Sequence, residues 1–175
     1  MLQENLSKNP VEDLKDTQTP PKGEAAKPGL VGKSDDPYAH LVRLKYLIVD
    51  DSRFNRKMVR EALGYYGIRG AAEANDAVEA MKILMNQPID VVLTDYEMPY
   101  ISGVELTRMI RRGNEVLDPT VPVVIITAHA EAFRIREAMA AGIQEYMIKP
   151  FSPEKLMAHV LRAVETKKLM MQEAS

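Results

Sequence analysis

KYLIVDDSRFNRKMVREALGYYG, residues 45–67, changes its hydrophobic period partway along. YLIV is a continuous β-rich run, the pattern of a strand buried on both faces. From Arg53 the spacing becomes helical, with Phe54, Met58, Ala62 and Tyr65 on one side and Val59, Leu63 and Tyr66 beside them. Ser52 suits the cap that starts such a helix, and Gly67 the stop that ends it. Between the two periods stand adjacent carboxylates, Asp50 and Asp51. Buried strands that deliver polar groups at their C-terminal ends are how an open parallel sheet builds a site.

The same unit recurs along the chain. GAAEA (70–74) is a weak strand, and Asn75 opens a helix with Ala77, Met81, Leu84 and Met85 inward. DVVLTD (90–95) is the third strand, followed by a helix from Ser102 to Arg112 whose stripe is Leu106, Met109 and Ile110. PVVIIT (122–127) is the fourth strand, and a helix from Ala132 to Ala141 stops at Gly142. EYMIK (145–149) is a short fifth strand. Ser152, Pro153 and Glu154 then supply a cap, a first-turn proline and an early acid for a last helix with Leu156, Val160, Leu161 and Val164 as its core face. Met58, Met81, Met109 and Met157 fall on these core faces as gap-fillers. Five strands alternating with five helices predict an α/β fold, a (βα)5 doubly wound parallel sheet. Its expected strand order is the flavodoxin-like 2-1-3-4-5.

Composition bounds what this fold is used for. The chain has 175 residues, 46% of them hydrophobic, enough for one ordinary domain and a remainder. Residues 1–37 hold Pro10, Pro20, Pro21 and Pro28 among scattered charges, a composition expected to form a disordered N-terminal extension. That leaves 38–168 as the folded domain and 169–175 as a frayed C-terminal tail. The first 37 residues carry five Lys and seven acids, so the remainder has 18 basic and 18 acidic residues. This balance gives no field for nucleic acid. Absence of cysteine removes disulfides and thiolate metal sites. MLQENLSKNPVEDLKD lacks the basic start and apolar core of a secretory signal, and no apolar run is long enough to span a bilayer, so a cytoplasmic location is expected.

Asp50, Asp51, Asp95, Thr127 and Lys149 all stand at strand ends. In the 2-1-3-4-5 order the first and third strands meet at the topological switch point, so Asp95 is expected to face Asp50 and Asp51. Partly desolvated carboxylates repel one another, and a hard cation such as Mg²⁺ relieves the repulsion through oxygen ligands. Asp95 is then available as a nucleophile that forms an acyl phosphate, with the Thr127 hydroxyl and Lys149 ammonium meeting the phosphoryl oxygens. The Lys149–Pro150 step is a candidate cis peptide. The same repulsion predicts that Asn or Ala at position 51 or 95 stabilises the metal-free fold.

LIVDDSRFNRK, VVLTDYEMPYISGVEL, VVIITAHA and YMIKPFSPEKL resemble the receiver domain of two-component response regulators, over roughly residues 42–168. The resemblance implies that Asp95 is the phosphoacceptor, receiving its phosphate from a sensor histidine kinase or a histidine phosphotransfer protein. It implies a Mg²⁺ site of Asp51, Asp95 and the Glu97 backbone carbonyl, with Asp50 acting through water. Thr127 and Lys149 would contact the phosphoryl group, and the Lys149–Pro150 bond would be cis. Tyr146 resembles the family's switch aromatic, rotating into space that Thr127 vacates. Glu97 and His129, which flank the route of an attacking water, are candidates for tuning the lifetime of the phosphorylated state.

These readings converge on a phosphorylation-activated switch, a regulator rather than an enzyme, with self-phosphorylation and autodephosphorylation expected. The resemblance is to stand-alone receivers of the chemotaxis or phosphorelay kind. Its output is expected to be a downstream protein target bound at the surface of the fourth helix, fifth strand and fifth helix, as a monomer or a phosphorylation-dependent dimer. A phosphate sink for a kinase is the alternative within this class. A haloacid-dehalogenase-type phosphatase would use similar groups, but its nucleophile follows the first core strand and it needs a cap domain.

Overall fold

In the computed structural model, which describes residues 37–173, the chain runs from a 3-10 turn, Leu41–Arg43, into five β-strands that alternate with five helices. These are β1 (Tyr46–Val49), α1 (Arg53–Tyr65), β2 (Ala72–Ala74), α2 (Ala77–Asn86) and β3 (Val91–Asp95). They continue as α3 (Gly103–Arg112), β4 (Val123–Thr127), α4 (Ala132–Ala140), β5 (Glu145–Ile148) and α5 (Pro153–Glu173). All strand pairs are parallel, and their order is β2-β1-β3-β4-β5. The expected doubly wound sheet is therefore the observed one. The expected N-terminal extension lies, apart from Pro37, outside the described residues.

Strand side chains alternate between two cores. Leu47, Val49, Val92, Val123 and Ile125 pack with α2 and α3 on one face. Tyr46, Ile48, Leu93, Val124, Ile126 and Met147 pack with α1 and α5 on the other. Covering both faces is why these strands read as unbroken apolar runs rather than as alternating ones. At the end of the sheet away from the strand C-termini, the guanidinium of Arg111 donates to the carbonyls of Gly142 and Pro119 and to the Gln144 side chain.

Local signals set most boundaries. Ser102 and Glu105 form a reciprocal capping box at the start of α3. The side chain of Ser52 accepts from the Asn55 amide to start α1. For α2 the cap is Asp76, whose carboxylate accepts from the Glu79 amide, and not Asn75, which lies one position outside. Two expected core faces shift. In α1 the buried residues are Val59, Ala62 and Leu63, whereas Phe54 is 69% exposed and Met58 is exposed beside it. The first turn of α1 overhangs the strand ends, where Phe54 and Met58 share a groove with Pro150 and Phe151. Met85 on α2 is also exposed, and α5 buries Ala163 along with the expected Leu156, Met157, Val160 and Val164 while Leu161 is only half-buried.

The order expected to end at residue 168 extends further, because α5 stays helical through Glu173. Lys167 pairs with Asp118, and Met170 and Met171 line a groove with Arg111 and Pro119. These contacts carry the helix past its last core residue, Val164.

One glycine is demanded by close approach. A Cβ on Gly103 would lie 2.1 Å from the carbonyl oxygen of Asp95. The Gly103 amide also donates to the carbonyl of Tyr96 at 2.9 Å, so the start of α3 rests directly on the end of β3. We expect Gly103→Ala to cost about 2–4 kcal/mol, since overpacking against backbone is not relieved by a rotamer change. Urea denaturation at neutral pH measures it; a loss below about 0.5 kcal/mol would contradict the contact.

Candidate functional site

The C-terminal ends of β1, β3, β4 and β5 bring four of the five expected strand-end groups into one crevice. Asp50 follows β1 and is only 4% exposed. Its Oδ1 accepts from the Ser52 amide at 2.8 Å and from Asn55 Nδ2 at 3.2 Å. Its carbonyl accepts from Arg56 Nη1 at 2.7 Å, and Arg56 is held in turn by Glu73. Asp95, the last residue of β3, is turned toward the same space. Lys149 Nζ donates to Asp95 Oδ1 at 2.9 Å and to Asp50 Oδ2 at 3.3 Å, so one ammonium bridges the two carboxylates. The other oxygen of Asp95 accepts from the Glu97 amide at 3.0 Å. The Lys149–Pro150 peptide is cis.

Asp51 stands apart from this arrangement. It is exposed, and among the described residues no three carboxylates or imidazoles converge tightly on one point. Asp50 and Asp95 converge on Lys149, which supplies their counter-charge. The donor chemistry still suits a hard cation: the carboxylates of Asp50 and Asp95 share a single ammonium and are left short of positive charge.

Thr127 ends β4 almost fully buried, and its Oγ1 accepts from the His129 amide at 3.2 Å. On β5, Tyr146 is half-buried and donates from its hydroxyl to the His129 carbonyl at 3.1 Å. Its ring meets Tyr96 edge-on, with centroids 6.4 Å apart. Thr127 and Tyr146 thus hold the same short segment, residues 127–129, from two sides. Burial pushes the Tyr146 phenol above its ordinary range.

The two lifetime-tuning candidates are in contact. Glu97 Oε2 lies 3.1 Å from His129 Nε2, and Glu97 Oε1 accepts from Arg134 Nη1 at 2.6 Å. The hydrogen bond from Arg134 and then that from His129 hold the Glu97 carboxyl below its usual range. Sequence reasoning passed over Arg134, which reads as one charge on the polar side of α4. It also passed over Asn55, an ordinary polar residue one turn into α1. Only the fold places the first against Glu97 and the second against Asp50.

Asp95 carries the electrostatic cost of this crevice. Burial raises its carboxyl above the ordinary range and the Asp50 charge adds to the rise, while Lys149 and the Glu97 amide oppose it. The folded state therefore binds this proton at higher pH than the unfolded chain does. Its contribution to stability is full in acid and is lost as pH rises through the folded-state value. We expect Asp95→Asn to raise stability at pH 7 without Mg²⁺ by on the order of 1 kcal/mol, a gain that shrinks as pH falls toward the protonation of Asp95. Asp51→Asn, in contrast to the sequence expectation, should stay within about 0.5 kcal/mol of the parent because Asp51 is exposed. Thermal melts across pH check both; a loss of stability in Asp95→Asn at pH 7 would contradict the argument.

Residues 46–161 match the family model described as the response regulator receiver domain. Chemotaxis protein CheY-3 of Vibrio cholerae is 37% identical over 113 residues, 65% of this chain and 85% of that protein. Chemotaxis protein CheY of Pseudomonas aeruginosa is 33% identical over 122 residues, 70% of this chain and 97% of the relative. Among solved structures, chemotaxis protein CheY4 of Vibrio cholerae aligns with a TM-score of 0.63 at 29% identity, covering 69% of this chain and 98% of that one. A response regulator receiver domain protein from Clostridium thermocellum gives the same TM-score and identity over 73% of this chain and 98% of its own. The crevice therefore lies on a CheY-like signalling fold, and the chain belongs to the response regulator receiver domain family.

Proposed function

We propose that this receiver is switched by phosphorylation of Asp95. The observation that carries the reading is the Lys149 ammonium shared between Asp95 and Asp50, with the second Asp95 oxygen fixed by the Glu97 amide. A carboxylate so placed is held at the mouth of the crevice with a positive group beside it. In transfer, an Asp95 oxygen attacks the phosphorus of a phosphohistidine on a sensor kinase or phosphotransfer protein. The new P–O bond forms as the P–N bond breaks, and the imidazole leaves. Lys149 then pairs with the phosphoryl oxygens, and the Thr127 hydroxyl turns to donate to them. Asp51, Asp95 and the Glu97 carbonyl would hold Mg²⁺ directly and Asp50 through water; the ion supplies charge that neutralises the phosphoryl oxygens.

Thr127 and Tyr146 both bind the 127–129 segment, so movement of Thr127 toward a phosphoryl group loosens what Tyr146 grips. Tyr146 is then free to rotate inward, and the surface of α4, β5 and α5 changes for a downstream protein. The groove of Phe54, Met58, Pro150 and Phe151 opens next to Lys149 and offers the phosphodonor an apolar contact. No helix among the described residues is long and apolar enough to cross a membrane, and we place this signalling in the cytoplasm.

The test is incubation with acetyl phosphate and Mg²⁺, followed by intact mass and peptide mapping. We expect one labile phosphoryl group on Asp95, none in Asp95→Asn, and a phosphorylation rate reduced roughly a hundredfold in Lys149→Ala, by analogy with loss of one charge-stabilising donor. Rapid multiple turnover of phosphate esters without a stoichiometric adduct would overturn the reading in favour of a phosphatase.

A further inference from the structure

α4 is the most lightly anchored helix of the fold. Ala138 is its one buried residue, whereas α1, α2, α3 and α5 each bury three or more. Few buried apolar contacts mean a low cost of local displacement. What seats α4 is polar and lies near its start. Arg134 Nη1 donates to Glu97, and the guanidinium stacks over the Tyr96 ring with its carbon 4.9 Å from the centroid. The Tyr96 hydroxyl donates to Glu137 at 2.6 Å, and Arg108 of α3 donates to the same carboxylate at 3.3 Å. Glu131 lies 3.7 Å from Arg134 Nε, too far to satisfy a buried nitrogen that finds no hydrogen-bond partner.

Both oxygens of Glu97 are consequently engaged, one by Arg134 and one by His129. Glu97 is two residues beyond Asp95, and its own amide binds the Asp95 carboxylate. Its side chain is the nearest carboxylate in sequence to Asp95, and Arg134 of α4 holds it occupied. A single exposed ion pair is worth little. This one has a guanidinium already immobilised on an aromatic face and a carboxylate held from two sides, so it restrains Glu97 without ordering a free side chain.

We propose that Arg134 is a positioning residue that, by clasping Glu97, keeps its carboxylate from serving water, so that the seating of α4 sets the lifetime of the phosphoryl group. The proposal rests on Asp95 being the phosphoacceptor. In hydrolysis the water oxygen bonds to phosphorus as the bond between phosphorus and Asp95 Oδ breaks, releasing inorganic phosphate and the free carboxylate. The proton lost by water goes to a Glu97 carboxylate freed from Arg134. A partner protein that draws α4 outward thereby shortens its own signal, and one that seats α4 prolongs it.

The experiment phosphorylates the full chain with acetyl phosphate and Mg²⁺, removes the donor, and follows decay of the adduct on phosphate-affinity gels. We expect R134A and R134Q each to accelerate decay roughly three- to tenfold, a fraction of what a well-placed general base supplies, and R134K, which keeps the charge but not the stacked guanidinium, to fall between them and the parent. In the E97Q background, R134A should have no further effect. Using both R134A and R134Q keeps the test open if one of them fails to fold. Parental decay in the Arg134 variants, or equal acceleration with and without E97Q, would overturn the clasp while leaving the phosphoacceptor intact. Absence of any adduct in the parent protein would instead overturn the phosphoacceptor, and the clasp with it.

Discussion

Two carboxylates at the ends of neighbouring strands share one ammonium, and the architecture around them can be understood as what that sharing requires. Asp50 is nearly sealed from solvent, and Asp95 is raised above its ordinary range by burial. Such a pair persists because Lys149 reaches both and because the Ser52, Asn55 and Glu97 N–H groups occupy other lone pairs. The arrangement is satisfied yet short of positive charge. It is therefore prepared to accept further positive charge, and any group added to Asp95 must redistribute the contacts of Lys149. A small covalent change at one oxygen is felt by two strand ends at once.

From there the structure divides into stiff and soft parts. α1 and α5 lie over one face of the sheet through large buried side chains such as Leu63, Leu156 and Met157, and α2 and α3 cover the other with Leu84, Leu106 and Ile110. α4 has no comparable apolar seat. Its attachment is a chain of polar contacts that begins at Glu97, passes through Arg134 and Tyr96, and ends at Glu137 and Arg108. Polar attachments of this kind have alternative partners at small cost, in water or in another protein. An apolar core does not.

How far this was legible in the sequence depends on whether a feature is local. The strands were, because burial on both faces leaves short β-rich runs such as YLIV and VVII, each bounded by polar or turn residues and too short for a buried helix. The strand-end residues were as well, since the topology alone brings Asp50, Asp95, Thr127 and Lys149 to one end of the sheet. What could not be read was orientation within the crevice. Asp50 and Asp51 are adjacent and chemically identical, and only the backbone path past β1 buries the first and exposes the second. Phe54 sits in helical register with the core of α1, but its turn begins beyond the edge of the sheet. Arg134 shows no periodicity that separates it from a solvated charge, because its partner lies 37 positions earlier, on the loop after β3.

The contact at Gly103 gives this division a mechanical meaning. With no side chain between them, the tip of β3 and the first turn of α3 touch backbone to backbone, and a hydrogen bond from Gly103 to Tyr96 locks the junction. The Asp95 carboxylate is thereby mounted on a fixed abutment. Strand tip and helix can only translate together, against the whole core beneath α3. Beside α3 on the same face of the sheet, α4 stands on polar footings and resists displacement less. The glycine that lets α3 meet the end of β3 thus makes α3 the stiff support beside Asp95 and leaves α4 the compliant one.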